Sequence, residues 1–149
     1  MADVPQKPLL DETSPSVQTH LGIMQGVIER MATNSSSSKA WCITIVSAVL
    51  VVVADKDKPN YALLAFIPAI LFFLLDTYYL ALEKGFRAAY EEFVRKVHTG
   101  TLTPNDLYSV KPAGNMWGHR WKALQSFSVW GFYVVIGIMI GLARWVVLP

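Results

Sequence analysis

Residues 61–75, YALLAFIPAILFFLL, form an unbroken apolar run around which the rest of the chain is arranged. Asp76 interrupts the run, TYYLAL resumes it, and EKGFRAAYEEFVRKVH continues to His98 without a strong helix breaker. A single helix of about 39 residues would measure roughly 58 Å at about 1.5 Å per residue. That is almost twice the roughly 30 Å hydrocarbon core of a bilayer. The sequence therefore predicts a helix that crosses a membrane and continues into water.

The composition is typical of an integral membrane protein. Of the 149 residues 53% are hydrophobic and 16% charged, with a mean hydropathy of +0.36, whereas soluble domains carry about 25% charged residues. Residues 1–33 lack the apolar core of a secretory signal, so we expect no cleavage. A net charge of +2 does not indicate a nucleic-acid partner. The single cysteine, Cys42, excludes an intramolecular disulfide; we expect a small buried residue there, with lipidation as the alternative.

The N-terminal part predicts a mobile tail, residues 1–14, followed by a helix that starts at Pro15 with Ser14 as its cap. Apolar residues then step by four and three, which is a heptad pattern: Val17, Leu21, Met24, Ile28 and Met31. An amphipathic helix lying on lipid headgroups is the alternative. We disfavour it because Arg30 is the only cation between Pro15 and Ser38.

The serine-rich residues 34–38 resemble a linker, but the length of the following apolar run argues for helix. Residues 40–54 number only 15, short of the about 20 needed to span a bilayer. Adding residues 35–39 supplies the missing length, and serine hydroxyls inside a membrane helix can bond a carbonyl one turn back. We therefore predict a first span at residues 35–54, a polar turn at 55–60 and a second span at 61–82.

Two helices joined by so short a turn are expected to pack antiparallel. Beyond the membrane the second helix has its own heptad pattern: Phe86, Tyr90, Phe93 and Val97. If the chain folds back at about residue 57, opposed residues have numbers that add to 114. Each of these four then faces one of the four residues Ile28, Met24, Leu21 and Val17. We call residues 15–34 and 83–98 the stalk.

The remaining sequence predicts a connector, residues 99–123, with a short helix near 104–108, and a third transmembrane helix at 124–149. The expected fold is an all-α integral membrane protein with three transmembrane helices. The first two form an antiparallel hairpin that extends into a cytoplasmic helical stalk.

Lysines and arginines set the expected orientation, because they are in excess on the cytoplasmic side. Those expected on the stalk side are Arg30, Lys39, Lys84, Arg87, Arg95, Lys96, Lys111, Arg120 and Lys122. Those on the other side are Lys56, Lys58 and Arg144. The sequence therefore predicts a multi-pass membrane protein, with the N-terminus and stalk in the cytoplasm and the C-terminus outside.

Asp76 is the most informative polar residue, because an ionisable group about one turn inside the membrane edge is costly. The antiparallel arrangement places it beside Ser38 and Lys39, with Ser35 nearby. The first hypothesis is a Lys39–Asp76 pair that fixes the register of the hairpin. The second is a carboxylate that lines a pore or senses protons. Further along the same face, Glu83 is expected to pair with Arg30.

Pro68 predicts a kink in the second span. Gly137 and Gly141 form a GxxxG pattern in the third, which suits close packing of helices either between subunits or within one chain. No catalytic motif is present, and His20, His98 and His119 lack partners at metal-ligand spacing. We therefore expect neither an enzyme nor a bound cofactor or metal.

Several segments of residues 20–95 resemble a family of small bacterial inner-membrane proteins, the RipA-like octameric membrane proteins. The similar segments are residues 25–35 (QGVIERMATNS), 39–44 (KAWCIT), 75–80 (LDTYYL) and 86–90 (FRAAY), with Pro68 and Glu83 between them. The resemblance implies a homo-oligomer, an octamer in that family, in the cytoplasmic membrane, and it implies no chemistry. It does not extend to the last 50 residues.

Two functional classes follow from these expectations. One is a membrane effector, a pore- or channel-like homo-oligomer gated through its cytoplasmic stalk in stress, defence or intracellular survival. By analogy, small membrane proteins with a helical stalk also act as effectors beside bacterial defence genes. The other is a non-conducting scaffold or accessory subunit whose stalk docks a cytosolic partner.

Overall fold

The computed structural model of the chain describes residues 10–55 and 59–146. Within these residues all regular structure is helical: α1 Pro15–Asp55, a 3₁₀ helix Pro59–Ala65, α2 Phe66–His98, a 3₁₀ helix Pro104–Asp106, α3 Met116–Leu124 and α4 Phe127–Val146. Three helical stretches are long and apolar enough to cross a membrane: Pro15–Asp55, Asn60–His98 and Phe127–Trp145. The all-α class with three candidate spans is therefore confirmed. Residues 1–9 of the predicted tail, 56–58 of the predicted turn and 147–149 of the predicted third span lie outside the described residues.

α1 runs for 41 residues without interruption through the serine-rich segment. The hydroxyl of Ser38 donates to the carbonyl of Asn34 at 2.8 Å, and that of Thr44 donates to the carbonyl of Ala40 at 3.0 Å. Each hydroxyl is thus satisfied one turn back along its own helix, which allows polar residues to continue a helix into apolar surroundings. The predicted continuity of the first helix is confirmed.

The start of α1 differs in detail from the prediction. Pro15 is the first helical residue as expected, and the carbonyl of Ser14 accepts the N–H groups of Val17 and Gln18. The Ser14 hydroxyl, however, donates to Asp11 Oδ1 and accepts the Asp11 N–H instead of capping α1. The end of the predicted mobile tail is therefore an ordered turn, and the side-chain cap at Ser14 is wrong.

Pro68 lies near the start of a helix, not in the middle of one. The chain enters the second candidate span through the 3₁₀ helix Pro59–Ala65, and Pro68 is the third residue of α2. An N–H in the first turn of an α-helix has no partner within the helix, so proline is tolerated there. The kink predicted at Pro68 is thus replaced by a change from a 3₁₀ helix to an α-helix just before Pro68.

Contacts between α1 and α2 occur in opposite order along the two helices. In the stalk, Gln25 Nε2 donates to Tyr90 Oη at 3.3 Å, one residue from the predicted pairing of Met24 with Tyr90. Further along α1, Ser35 reaches Asp76. Beyond that point, Cys42 and Val46 share an apolar cluster with Ala69. The two helices therefore follow the expected register to within about one turn.

The stalk contains the apolar cluster that the heptads predict. Val17, Met24 and Phe93 are buried, and Leu21, Tyr90 and Val97 pack against them half-buried. Ile28 and Phe86 are also half-buried but lie outside this cluster. The fully buried neighbour of Val17 on α1 is His20 rather than Leu21. The buried face of α1 is thus rotated slightly from the face that carries the predicted heptad residues, which we call the seam of α1.

The connector packs directly on the backbone of α2 at Gly85. The Ala113 N–H donates to the Gly85 carbonyl at 3.0 Å. A Cβ at Gly85 would lie 2.8 Å from Pro112 Cβ and 3.1 Å from Met116 Sδ. Only glycine allows this approach without a shift of the connector. A local feature of α2 therefore determines where the connector lies.

Two elements of the C-terminal third differ from prediction. The short helix expected near 104–108 is only the 3₁₀ turn Pro104–Asp106, and Tyr108 has a left-handed backbone, φ 61°. The connector instead contains the unpredicted α3, whose first turn is capped by Asn115 Oδ1 accepting the Trp117 N–H at 3.0 Å. The third candidate span starts at Phe127, not at residue 124, because the Ser126 carbonyl begins a new helix.

α4 packs against the apolar half of α2 and the 3₁₀ helix before it. Ile136 and Ile140 join the cluster that contains Ala65 and Ala69. At the far end Arg144 Nη2 donates to Asn60 Oδ1 at 3.4 Å. The outer faces of the candidate spans expose many large apolar side chains, as surfaces in contact with lipid do; among them are Ile67, Ile70, Leu71, Leu74, Val134, Val135, Ile138 and Leu142.

Candidate functional site

Asp76 is the centre of a buried polar cluster between α1 and α2. Its side chain is 0% exposed, Oδ2 lies 2.6 Å from Lys39 Nζ, and Oδ1 accepts a hydrogen bond from Ser35 Oγ at 2.5 Å. Lys39 Nζ also donates to Ser35 Oγ at 3.4 Å. We call Ser35, Lys39 and Asp76 the polar cluster. The predicted Lys39–Asp76 pair is present in the structure.

Helix geometry brings the two donors of α1 to one carboxylate. Ser35 and Lys39 are four residues apart, so they lie one above the other on the same face of α1. The side chain of Lys39 is 18% exposed. A lysine stem can lie along apolar surface while its ammonium reaches a polar partner. The cluster therefore places one carboxylate, one ammonium and one hydroxyl in the same buried space.

The two flanking hydroxyls do not take part in the cluster. Ser38, predicted to lie beside Asp76, is buried but donates to the Asn34 carbonyl of its own helix. Thr77 is also buried and donates to the Phe73 carbonyl at 2.7 Å. Of the two serines predicted near Asp76, Ser35 bonds the carboxylate and Ser38, predicted directly beside it, does not.

A buried ion pair of this kind orders the two helices relative to each other. Removing a carboxylate and an ammonium from water costs several kcal/mol each, and their attraction offsets this only in good geometry with further hydrogen bonds. Sliding α1 along α2 by one turn would separate Lys39 from Asp76 and leave the carboxylate unpaired. Under the register-fixing hypothesis, the pair would favour this axial register over the alternatives that apolar packing alone would allow.

Tyr133 of α4 adds a further buried polar atom beside the cluster. Its ring packs edge to face on Phe73 and Phe132, with centroids 5.3 and 4.9 Å apart. Its hydroxyl is buried, has no hydrogen-bond partner among the described residues, and lies within electrostatic range of Asp76 and Cys42. A buried tyrosine hydroxyl usually finds a partner. Tyr133 was not predicted from the sequence; its signal is a tyrosine within the third candidate span.

Glu83 and Arg30 do not form the predicted pair. Glu83 Oε1 accepts from Arg87 Nε at 2.8 Å, one turn further along α2. Arg30 is exposed and pairs with no carboxylate in the described part of the chain. An i, i+4 pair within one helix needs no alignment between helices, so it forms more readily than the predicted contact across the stalk.

The two glycines of the GxxxG pattern have different surroundings. A Cβ at Gly137 would lie in ordinary contact with the Phe66 ring, at 3.8 Å. Gly141 is exposed and has open space where a Cβ would be. Gly137 therefore packs within the chain, and the surface at Gly141 is free.

A second polar contact joins the stalk to the connector at His20. His20 is buried, its ring lies 4.5 Å from that of Phe93, and its Nδ1 accepts the Tyr108 N–H at 3.0 Å. Burial lowers the pKa of His20, while the negative charge of Asp106 opposes this shift. A neutral imidazole is the form that can accept at Nδ1. The sequence predicted no structural role for His20, although its position three residues after Val17 places it on the seam of α1.

Asp106 links the connector to the end of α2 through hydrogen bonds. Its Oδ1 accepts from Lys96 Nζ at 2.8 Å, and its Oδ2 accepts from the Thr103 N–H at 2.9 Å. These bonds to Lys96 and Thr103 lower the pKa of Asp106 to about 2. The connector is therefore held against the stalk by the apolar cluster of the stalk, by His20 and by the Lys96–Asp106 ion pair.

The described residues contain no group of three or more His, Cys, Asp or Glu placed to hold a metal ion. The resemblance to the RipA-like family stays a prediction that rests on the residues quoted for it. Comparison with protein-family models, with curated proteins and with solved structures finds no match for this chain.

Proposed function

We propose that the chain is a homo-oligomeric protein of the bacterial cytoplasmic membrane that acts as a pore- or channel-like membrane effector gated through its stalk. In this proposal α1 and α2 form a hairpin that crosses the bilayer twice, and α4 crosses it a third time. The N-terminus and stalk are cytoplasmic, as the excess of lysine and arginine on that side favours. Stress, defence or intracellular survival are the settings in which such an effector would act.

The observation that carries the proposal is the position of the polar cluster within two continuous helices. α1 is about 60 Å long at about 1.5 Å per residue, and α2 runs without a break from the candidate span to the end of the stalk. The Lys39–Asp76 pair couples these helices within the spans, near their stalk-side ends. A displacement applied at the stalk is therefore passed to the spans as a movement of both helices together.

Assembly of several chains is part of the proposal because one chain offers only three candidate spans. Asp76 faces the interface of α1 and α2, where it is already neutralised by Lys39. A solvated path would therefore form between chains, along the exposed faces of the spans. The free surface at Gly141 allows a neighbouring helix to approach closely.

A non-conducting scaffold is the alternative, and one surface of the stalk favours it. A groove of about 630 Å³ lies between α1 and α2, lined by Gln25, Ile28, Glu29, Ala32, Arg87, Tyr90 and Glu91. It combines an apolar floor with side chains of both charges. Such a groove suits an amphipathic helix of a cytosolic partner.

The two functions are separated by measuring oligomer mass and ion flux on the same preparations. We expect the protein in membrane nanodiscs to have a mass several times 16.6 kDa, and its liposomes to pass ions. Glu83→Gln is the matched control for Asp76→Asn, because it neutralises a carboxylate of α2 that pairs locally with Arg87. A monomer would overturn the proposal. An intact oligomer without flux, under any stalk-directed stimulus, would favour the scaffold.

The role of Asp76 is decided by the same assay. If Asp76 only fixes register, Asp76→Asn should change flux little more than Glu83→Gln does. If it lines the path, Asp76→Asn should abolish flux or alter its selectivity while the oligomer stays intact. No substitution of Lys39 would then restore the original flux.

A further inference from the structure

α3 and α2 enclose a groove at the edge of the second candidate span. The groove has a volume of about 430 Å³. Leu74 and Tyr78 of α2 form one side, and Trp121 and Leu124 of α3 form the other. Leu74 and Tyr78 flank Asp76 in sequence, so the groove lies where the apolar run gives way to the polar half of α2. This is the level at which acyl chains meet headgroups in a bilayer.

α3 has the composition of a helix that lies in a membrane interface. Its sequence, MWGHRWKAL, contains Arg120 and Lys122 and no acidic residue. Trp117 and Trp121 are 76% and 64% exposed. Indole rings are favoured at the headgroup level because one edge is polar and the rest apolar. Two exposed tryptophans beside basic residues therefore indicate contact with lipid.

Arg120 is the one charged residue among those that line the groove. Arg120 lines the groove, with its Cζ 5.2 Å from the Trp117 ring centroid, which holds the guanidinium by a cation–π contact. Arg120 forms no ion pair with any residue that the structure describes. The hydroxyl of Thr77, which also lines the groove, is occupied by the Phe73 carbonyl. The surface of the groove is thus apolar, and Arg120 places a positive charge beside it.

We propose that this groove binds one anionic phospholipid, with an acyl chain between α2 and α3 and the phosphate on Arg120. An amphiphile with a long apolar tail and an anionic head matches both the apolar lining and the position of the cation. A guanidinium binds phosphate through two parallel hydrogen bonds, and Lys122 adds to the local positive potential. The proposal rests on the membrane insertion proposed above, but on neither oligomerisation nor conduction.

The test is tryptophan quenching in phosphatidylcholine vesicles that contain a small fraction of an acyl-brominated lipid. We expect brominated phosphatidylglycerol to quench more than the same fraction of brominated phosphatidylcholine, and Trp121→Phe to remove much of that excess. Arg120→Gln should lower the apparent affinity for brominated phosphatidylglycerol about fivefold, as the loss of one cation near a membrane surface predicts. Arg144→Gln, at the end of α4, is the matched control and should change it little.

Each other outcome contradicts a defined part of the inference. Equal loss in Arg120→Gln and Arg144→Gln would show general attraction of the lipid by positive charge, and would overturn the site. No preference of the unaltered protein for the anionic lipid would overturn it as well. Arg120→Lys should retain part of the affinity, which excludes misfolding as the cause of a loss. If neither brominated lipid quenches, the protein is not inserted, and the proposed function fails together with the site.

Discussion

Lys39→Gln is expected to destabilise the protein strongly, because it leaves the Asp76 carboxylate buried without its counterion. Asp76 is 0% exposed, and Ser35 would remain as its single hydrogen-bond donor among the described residues. Removing one partner of a buried pair costs about 3–5 kcal/mol. Since domains unfold at about 5–15 kcal/mol, this is a large part of the whole stability.

The complementary change should cost less. Asp76→Asn keeps the shape of the side chain, and its Oδ1 can still accept from Ser35. Lys39 would lose its partner but is 18% exposed, so its ammonium can extend towards water. We expect a loss of about 1.5–3 kcal/mol, the cost of a hydrogen bond to a charged group. The double variant Asp76→Asn with Lys39→Gln should lie close to Asp76→Asn alone.

The measurement is a double-mutant cycle of unfolding free energies in mixed micelles, with denaturing detergent as the titrant and helical circular dichroism as the signal. The coupling energy between the two positions should be about 3–5 kcal/mol, the cost of Lys39→Gln that disappears when Asp76 is already Asn. Lys84→Gln is the control, since Lys84 is a half-buried lysine of α2 without an ion pair to a described residue. Additive effects of the two changes, or a cost of Lys39→Gln no larger than that of Lys84→Gln, would refute the role of the pair in stability.

Three further predictions concern the stalk, the connector and the topology. Burial lowers the pKa of His20 below 6.5, so the imidazole binds a proton more readily in the unfolded chain than in the folded one. The stability of the protein therefore falls as the pH drops below about 6.5. His20→Gln should flatten this fall when thermal unfolding is measured as a function of pH. Gly85→Ala should cost about 1–3 kcal/mol by overpacking against the connector, whereas Gly26→Ala, with nothing within 4 Å, should be neutral or stabilising by up to about 1 kcal/mol in the same titration. In intact cells, a cysteine at Arg95 should react with an impermeant thiol reagent only after lysis and a cysteine at Asn60 before it; the reverse pattern would invert the proposed orientation.

The helices themselves could be predicted from local chemistry. α1 continues through its serines in part because the Ser38 hydroxyl is satisfied by a carbonyl of the same helix, and that is a property of neighbours in sequence. The heptads identified the apolar stalk residues Val17, Met24 and Phe93 for the same reason: their period is a property of one helix. The division of α3 from α4 could not be predicted in this way. No proline or glycine separates them, and the break is made by backbone bonds of Gln125 and Ser126.

The polar contacts were harder to predict because they depend on the rotation of one helix against another. A change of a few tens of degrees in α1 decides whether Ser35 or Ser38 faces Asp76, and whether His20 or Leu21 is buried. The ion pair was predictable because a lysine side chain is long enough to reach its partner across that range. Tyr133 packs on Phe73 from α4, and no spacing within α1 or α2 contains this information.

The arrangement makes Lys39, rather than Asp76, the residue that best separates a register-fixing role from a conducting one. In the structure the carboxylate already has a counterion, so a passing cation would have to displace Lys39 before it could bind. Neutralising Lys39 should therefore raise the affinity of a path for cations if Asp76 lines one. If the pair fixes the register, the same change weakens the α1–α2 interface and lowers both stability and oligomer yield. A Lys39→Gln protein that is less stable and no more permeable to cations would support the register-fixing role, and one that is equally stable and more permeable would support the path.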